Sequence, residues 1–195
     1  MDGETLEWIR RSQAGDTEAF GLVFNKYKNL VYKTAYLMLG SASEAEDLMQ
    51  EVFIEVFRSL KSYQPARGAF TTWLYRITVN DCLNHRRSLR WTSVSLEEVA
   101  YAAHEDPGAP DEAVGVAIRG LSPKLRAVVI LRYYWDLSYA EITQVLNLPL
   151  GTVKSRLNQA LHMIKRDLET QVREDRDALG PDASFRLAGI PPEPN

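Results

Sequence analysis

The chain has 195 residues, 45% of them hydrophobic and 25% charged, with a formal net charge of −3 and a single cysteine, Cys82. This is ordinary soluble globular composition, with room for one medium domain or two small ones. It excludes an internal disulfide framework and a uniformly basic nucleic-acid binder, and no apolar run approaches the ~20 residues that span a bilayer. Nothing resembles a signal peptide, and one cysteine, packed as a small hydrophobe, fits a reducing cytosol. Charge is unevenly spread: residues 91–112 hold six acids and no cation, whereas 113–170 hold eight cations against four acids.

Helical periods dominate from the start, with no internal repeat and almost no strand-like alternation. A short helix is predicted over residues 5–13, ended by Gly15-Asp16. A long one over 17–39 carries Phe20, Val23, Phe24, Tyr27, Leu30, Val31, Thr34, Ala35 and Met38 on one side, and Gly40 closes it. Ser43 and Glu46 have capping-box spacing and predict a helix to about residue 62. Its buried stripe is Leu48, Met49, Val52, Phe53, Val56 and Leu60. The opposite face holds Asp47, Gln50, Glu51 and Arg58 with Ile54 in their midst. An isoleucine so placed is either a lone exposed apolar residue, which is common, or a docking anchor ringed by acids.

Pro65 and Gly68 mark a loop over residues 64–69, after which a helix is predicted over 70–89. Phe70, Leu74 and Ile77 form its inner face; Trp73, Arg76, Asn80, Asn84 and Arg87 form a second stripe, with Arg86 and Arg90 nearby. Asparagines can read bases, arginines hold phosphates and an aromatic ring can take an unstacked base. Trp73 on its own is more often core than stacking platform, and arginines at a helix end complement its dipole. Residues 92–110, with Pro107-Gly108 and Pro110, predict a linker. Residues 111–120 predict a short helix, and Ser122-Pro123 opens another through residue 134.

The stretch from Leu137 to Leu168 parses as two helices around a tight turn. Ser138 and Glu141 form a capping box, Ile142, Val145 and Leu146 give a buried face, and small Ala140 allows a close crossing. Asn147 tolerates the left-handed backbone of a sharp turn and Pro149 blocks continuation. In the second helix Val153, Leu157, Ala160, Ile164 and Leu168 make one apolar stripe. Thr152, Ser155, Gln159, His162 and Arg166 lie opposite, with Lys154, Asn158 and Arg156 on the flanks. Small hydrogen-bonding groups between cations suit a major groove, as in a helix-turn-helix; a solvated surface hairpin is the plainer reading. After residue 170 the polar, proline-bearing composition predicts a disordered tail.

Together these segments resemble the extracytoplasmic-function (ECF) class of bacterial RNA polymerase sigma factors. The residues that carry the resemblance are Asp47-Leu48-Met49-Gln50-Glu51-Val52-Phe53 and Phe70-Thr71-Thr72-Trp73-Leu74-Tyr75-Arg76-Ile77-Thr78-Val79-Asn80. In the second half they are Leu121-Ser122-Pro123, Leu137-Ser138-Tyr139-Ala140-Glu141-Ile142 and Gly151-Thr152-Val153-Lys154-Ser155-Arg156-Leu157. The resemblance implies an all-α chain of two small helical domains, residues 1–91 and 111–170, joined by a flexible acidic linker over 92–110 and followed by a tail over 171–195. It implies that Asp47, Gln50, Glu51 and Ile54 dock on the clamp helices of the polymerase's largest subunit. Arg67, Trp73, Arg76, Asn80, Asn84 and Arg87 would bind the minus-ten element, with the 64–69 loop receiving a flipped base. Thr152, Lys154, Ser155, Arg156, Asn158 and Gln159 would read the minus-thirty-five element, and the linker would thread the polymerase cleft.

It implies no catalysis by the chain itself, no cofactor, no metal, a cytoplasmic location, and an anti-sigma protein as a candidate partner. His85, His104 and His162 are scattered, without ligand spacing. Two departures are visible: the tail over 171–195 has no counterpart in the minimal family architecture, and Asn158-Gln159-Ala160-Leu161 stands where the family usually has an arginine, an alanine and another basic residue. A glutamine there favours adenine through its paired donor and acceptor. An independent helix-turn-helix regulator is the alternative, against which the docking face and acidic linker argue.

Overall fold

The computed structural model describes residues 2–89 and 112–178, with side chains for 2–85 and 113–173. All regular structure among these residues is helical. The expected linker at 92–110, and the tail beyond residue 178, lie outside the described residues.

In the first half, α1 (Gly3–Gln13) starts where the Asp2 carboxylate accepts from the Thr5 N–H at 2.8 Å. Asp16 caps α2 (Thr17–Leu39) in the same way, through the Ala19 N–H at 3.0 Å, and also pairs with Arg11. Gly40, at φ 84°, closes α2 by donating its N–H to the Tyr36 carbonyl, a left-handed position that glycine takes without a Cβ clash. Then α3 (Ala42–Ser59) follows, capped by Ser41, whose hydroxyl accepts from the Glu44 N–H. The box expected from Ser43 and Glu46 is not the one used. Ser41 and Glu44 have the same spacing, and the earlier register starts the helix straight after Gly40 while burying Ala45 and Leu48. The chain leaves α3 through 3-10 turns at Leu60–Ser62 and Pro65–Arg67 and enters α4 (Phe70–Leu89).

α4 packs on α2 and α3 and buries Phe70, Leu74 and Ile77 against them. The Gln13 side chain donates to the carbonyls of Leu60 and Tyr63, at 3.0 and 2.9 Å, and so ties the loop entrance to the end of α1.

The second half holds α5 (Glu112–Gly120), α6 (Pro123–Val129), α7 (Tyr139–Leu146) and α8 (Leu150–Ala178). Ser122 precedes Pro123 as expected, but caps with its backbone carbonyl rather than its hydroxyl. The helix predicted to run on through residue 134 changes to a π turn at Ile130–Tyr134. α8 outlasts its predicted end, so residues 171–178, expected as the start of the tail, are helical. Arg126, 2% exposed, anchors this half by donating from its guanidinium to the carbonyls of Ile118, Arg119 and Leu121 at the end of α5. One buried hydrophobic cluster runs continuously through both halves.

Candidate functional site

Three surfaces collect the residues singled out from the sequence. The first is the outer face of α3. Its inner positions Leu48, Val52, Phe53 and Val56 are buried, which turns Asp47, Gln50, Glu51 and Arg58 to solvent. Ile54 stands among them 51% exposed. Phe57, one turn on, is 48% exposed and braced edge-on by Phe20 with ring centroids 4.9 Å apart. The sequence reading missed Phe57, although its spacing from Ile54 would have found it. Behind this face Asp81 of α4 is half-buried; burial, then the charges of Glu55 and Glu51, push its carboxyl up to about 6.

The second surface joins the 64–69 loop to the open side of α4. Tyr63, Phe70 and Trp73 form an aromatic cluster with centroid separations of 5.2 to 5.5 Å. Trp73 is therefore part core and part surface. The Tyr63 hydroxyl donates to the Gly68 carbonyl at 3.1 Å, and the Arg67 N–H donates to the Gln64 carbonyl at 2.9 Å, which fixes the loop against α4. Arg67, Arg76, Asn80 and Asn84 are exposed along one edge. Arg87 falls in the last turn of α4, with its side chain outside the described residues.

The third surface is the helix hairpin of α7 and α8. The Ser138 hydroxyl accepts from the Glu141 N–H, and the Glu141 carboxylate accepts from the Ser138 N–H at 2.8 Å and from its hydroxyl at 2.7 Å. These bonds hold the Glu141 carboxyl below its usual range. Asn147 takes the left-handed conformation at φ 50°, and the Pro149 carbonyl accepts from the N–H groups of Thr152 and Val153 to start α8. Ile142, Val145, Val153, Leu157 and Ala160 are buried between the helices. Lys154, Ser155, Asn158 and Gln159 are exposed, with Thr152 and Arg156 partly so. Tyr139 lies between two cations, Arg132 at 5.8 Å and Lys154 at 6.0 Å from its ring. That basic edge was not legible in the sequence, because Arg132 comes from the preceding π turn.

The hairpin has its turn fixed and its polar face exposed, the arrangement of a helix-turn-helix, and α3 carries an exposed apolar pair. Comparison with known proteins decides between families. Sequence models of Sigma-70 region 2 and Sigma-70 region 4 match residues 23–92 and 111–164. The ECF RNA polymerase sigma factor SigW of Bacillus subtilis is 33% identical over 177 residues, covering 82% of this chain and 94% of that protein. The chain belongs to the ECF sigma factors. As such it directs core RNA polymerase to specific promoters and takes part in transcription initiation through DNA binding.

The RNA polymerase sigma-H factor of Pseudomonas aeruginosa is also 33% identical, over 85% of this chain and 94% of its own. The ECF sigma-E factor of Escherichia coli is 31% identical with the same two coverages. Among solved structures, the sigma factor RpoE from Bartonella quintana, in complex with the anti-sigma factor NepR, superposes with a TM-score of 0.66 at 21% identity. The match covers 77% of this chain and 96% of that one. CnrH, in complex with the cytosolic domain of CnrY, gives 0.63 at 19% identity, covering 87% and 99%. These two establish the shared fold. The sigma factor has no helix among its described residues long and apolar enough to cross a membrane.

Proposed function

We propose that this sigma factor divides its work among the three surfaces residue by residue. Asp47, Gln50, Glu51 and Ile54, with Phe57 added, dock on the clamp helices of the largest polymerase subunit. The acids meet basic side chains there while the two apolar residues bury their exposed halves. Arg67, Trp73, Arg76, Asn80, Asn84 and Arg87 take the minus-ten element, the arginines on phosphates and the asparagines on bases. The 64–69 loop receives an extruded base, which favours local melting. Thr152, Lys154, Ser155, Arg156, Asn158 and Gln159 enter the major groove of the minus-thirty-five element, and Gln159 pairs with adenine.

Residues 1–91 and 111–170 act as the two working domains, and the chemistry of RNA synthesis stays with polymerase in the cytoplasm. An anti-sigma protein is the natural candidate for holding such a factor inactive. The observation that carries this reading is the exposed Ile54 and Phe57 pair, rimmed by acids, on the same chain as a duplex-reading hairpin. A stand-alone DNA regulator has no use for the former. Free-DNA affinity is expected to be low, since each module is only modestly charged and gains from being held beside its partner element.

The test is selection of promoter duplexes from a random library by core polymerase with and without the protein. Specific initiation only when both are present supports the reading. Tight, sequence-specific binding without core, and no specific initiation with it, would instead favour the independent regulator.

A further inference from the structure

α8 carries an apolar stripe whose far half is left open. Leu161, Ile164, Leu168 and Val172 follow one another at three or four residues and so share one side of the helix. Val172 is 66% exposed and Leu161 38%, whereas Val153, Leu157 and Ala160 earlier in the same helix are buried. Among the described residues the groove along this stripe is lined by α8 alone. Lys165, Glu169 and Arg173 form its rim, with Lys165 and Glu169 paired at 3.8 Å. Most of the groove lies past residue 164, where the region 4 match ends. A helix that only projects into water has no use for an apolar stripe, and one that packs does.

The chain's own continuation fits this face. Residues 179–195 lie outside the described residues and follow directly on α8. Their sequence opens with Gly180-Pro181, a pair that stops a helix and favours a reversal, and then brings Phe185, Leu187 and Ile190. Extended chain advances about 3.3 Å per residue, against about 1.5 Å in a helix. With Phe185 returned to a place between Leu168 and Val172, Leu187 falls roughly 6.6 Å further back, between Ile164 and Leu168. Ile190 then falls roughly 16 Å back, beside Leu161, and Gly189 gives the backbone freedom to turn it to the same side. The same register sets Arg186 opposite Glu169 and Asp182 within about a turn of Arg173, so the rim charges are met by their opposites. The four residues from Ala178 to Asp182 reach up to roughly 13 Å, enough to cross from the helix to a chain packed beside it.

A second copy of the chain fits less well. Four partly exposed side chains on one helix fall far short of the ~800 Å² per partner that a stable interface buries. Within one chain the tail meets the stripe at an effective concentration in the millimolar range, so a small contact suffices.

We propose that residues 182–190 fold back along α8 and seat Phe185, Leu187 and Ile190 on the stripe from Leu161 to Val172. The tail is then a packed part of the second half, and the extension of α8 is the platform on which it packs. The contact needs neither DNA nor polymerase, so it stands apart from the assignments under Proposed function.

The test is disulfide trapping in the dilute full chain carrying Cys82→Ala. With Glu169→Cys and Arg186→Cys, mild oxidation is expected to close an intrachain bond at least tenfold faster than with Thr170→Cys and Arg186→Cys. Thr170 is exposed and gives a loop of nearly the same length. It lies two residues from both Leu168 and Val172, which sets it on the opposite side of the helix. Adding Phe185→Asp should slow the Glu169→Cys pair to the rate of the Thr170→Cys pair, with helical content by circular dichroism unchanged. Equal rates in the two pairs, or a fast rate indifferent to Phe185→Asp, would overturn the proposal. Disulfide-linked dimers forming in preference to the intrachain bond would overturn it in favour of a second copy on this face.

Discussion

Ile54 offers the sharpest quantitative test of the docking face. About half of its surface remains in water, 51% by exposure, while the rest packs onto α3 and its neighbours. Fully burying an isoleucine is worth ~1.5–3 kcal/mol, so covering the remaining half at an interface yields about 1–1.5 kcal/mol. Ile54→Ala should therefore weaken core binding by about five- to tenfold. Phe57→Ala should act similarly, since nearly the same fraction of its ring is exposed.

Ile54→Asp is the more severe change. It removes the apolar contact and places a further carboxylate beside Asp47 and Glu51, where binding must desolvate it; a loss of about 100-fold or more is expected. Helical content should be unchanged, because α3 is held by Leu48, Val52, Phe53 and Val56 on its other side. Titration of fluorescently labelled core polymerase gives the dissociation constants, and circular dichroism checks the fold. A change under twofold for Ile54→Asp, with the helices intact, would remove this face from the account.

Other consequences follow from single residues. Burial and the acids of α3 hold the Asp81 carboxyl at about 6, above its ordinary 3.8, so the folded state binds this proton more tightly than the unfolded state does. The associated stability is complete below about pH 4 and lost as pH rises through about 6. Discounted for a half-exposed group, Asp81→Asn should stabilise by about 1 kcal/mol at pH 7.5 and have no effect at pH 4 in urea unfolding; equal effects at both would refute the cause. Ser138→Ala removes the hydroxyl that accepts from the Glu141 N–H and donates to its carboxylate, leaves the bond from the Ser138 N–H to that carboxylate, and should cost about 1 kcal/mol of stability. An unchanged melting temperature would show that the hydroxyl does not hold the start of α7. Gln159→Ala should relax preference at one base pair by about 1–3 kcal/mol, whereas Lys154→Ala should weaken all sequences alike and lower the salt slope by about 1. Binding isotherms across single-base promoter variants and salt concentrations separate the two.

Most of the helices could be read in advance because their signals are local. The 17–39 and 70–89 periods and the Ser138–Glu141 box depend on neighbours three or four residues away, and the structure uses all of them. The mistaken box at Ser43 shows the limit of such signals: two serines offered the same spacing, and the choice was made by Gly40 and by which register buried Leu48. The packing of α4 against α7 and Trp135 was out of reach for a different reason. Tyr75 and Val79 fall off the Phe70, Leu74 and Ile77 stripe, so their burial depends on a helix about 65 residues later in the chain. The exposed surfaces were legible in outline, since an isoleucine among acids or a glutamine among cations has no purpose in the protein's own core. Their partly buried members, Trp73 above all, needed the packing. The extension of α8 was concealed by polar composition, although Leu168 and Val172 continue its helical spacing.

That extension makes α8 a rod of 29 residues, about 43 Å at 1.5 Å per residue, of which the last 14 lie past the end of the region 4 match. The rod works as a pointer. A turn of only about 20° in the groove-reading end would sweep the far tip by roughly 15 Å, so small adjustments on DNA become large excursions where Arg173 sits. Anything attached beyond that tip would register the tilt of the hairpin on its promoter, which gives the last turns of the helix a leverage that the compact helices around α6 lack.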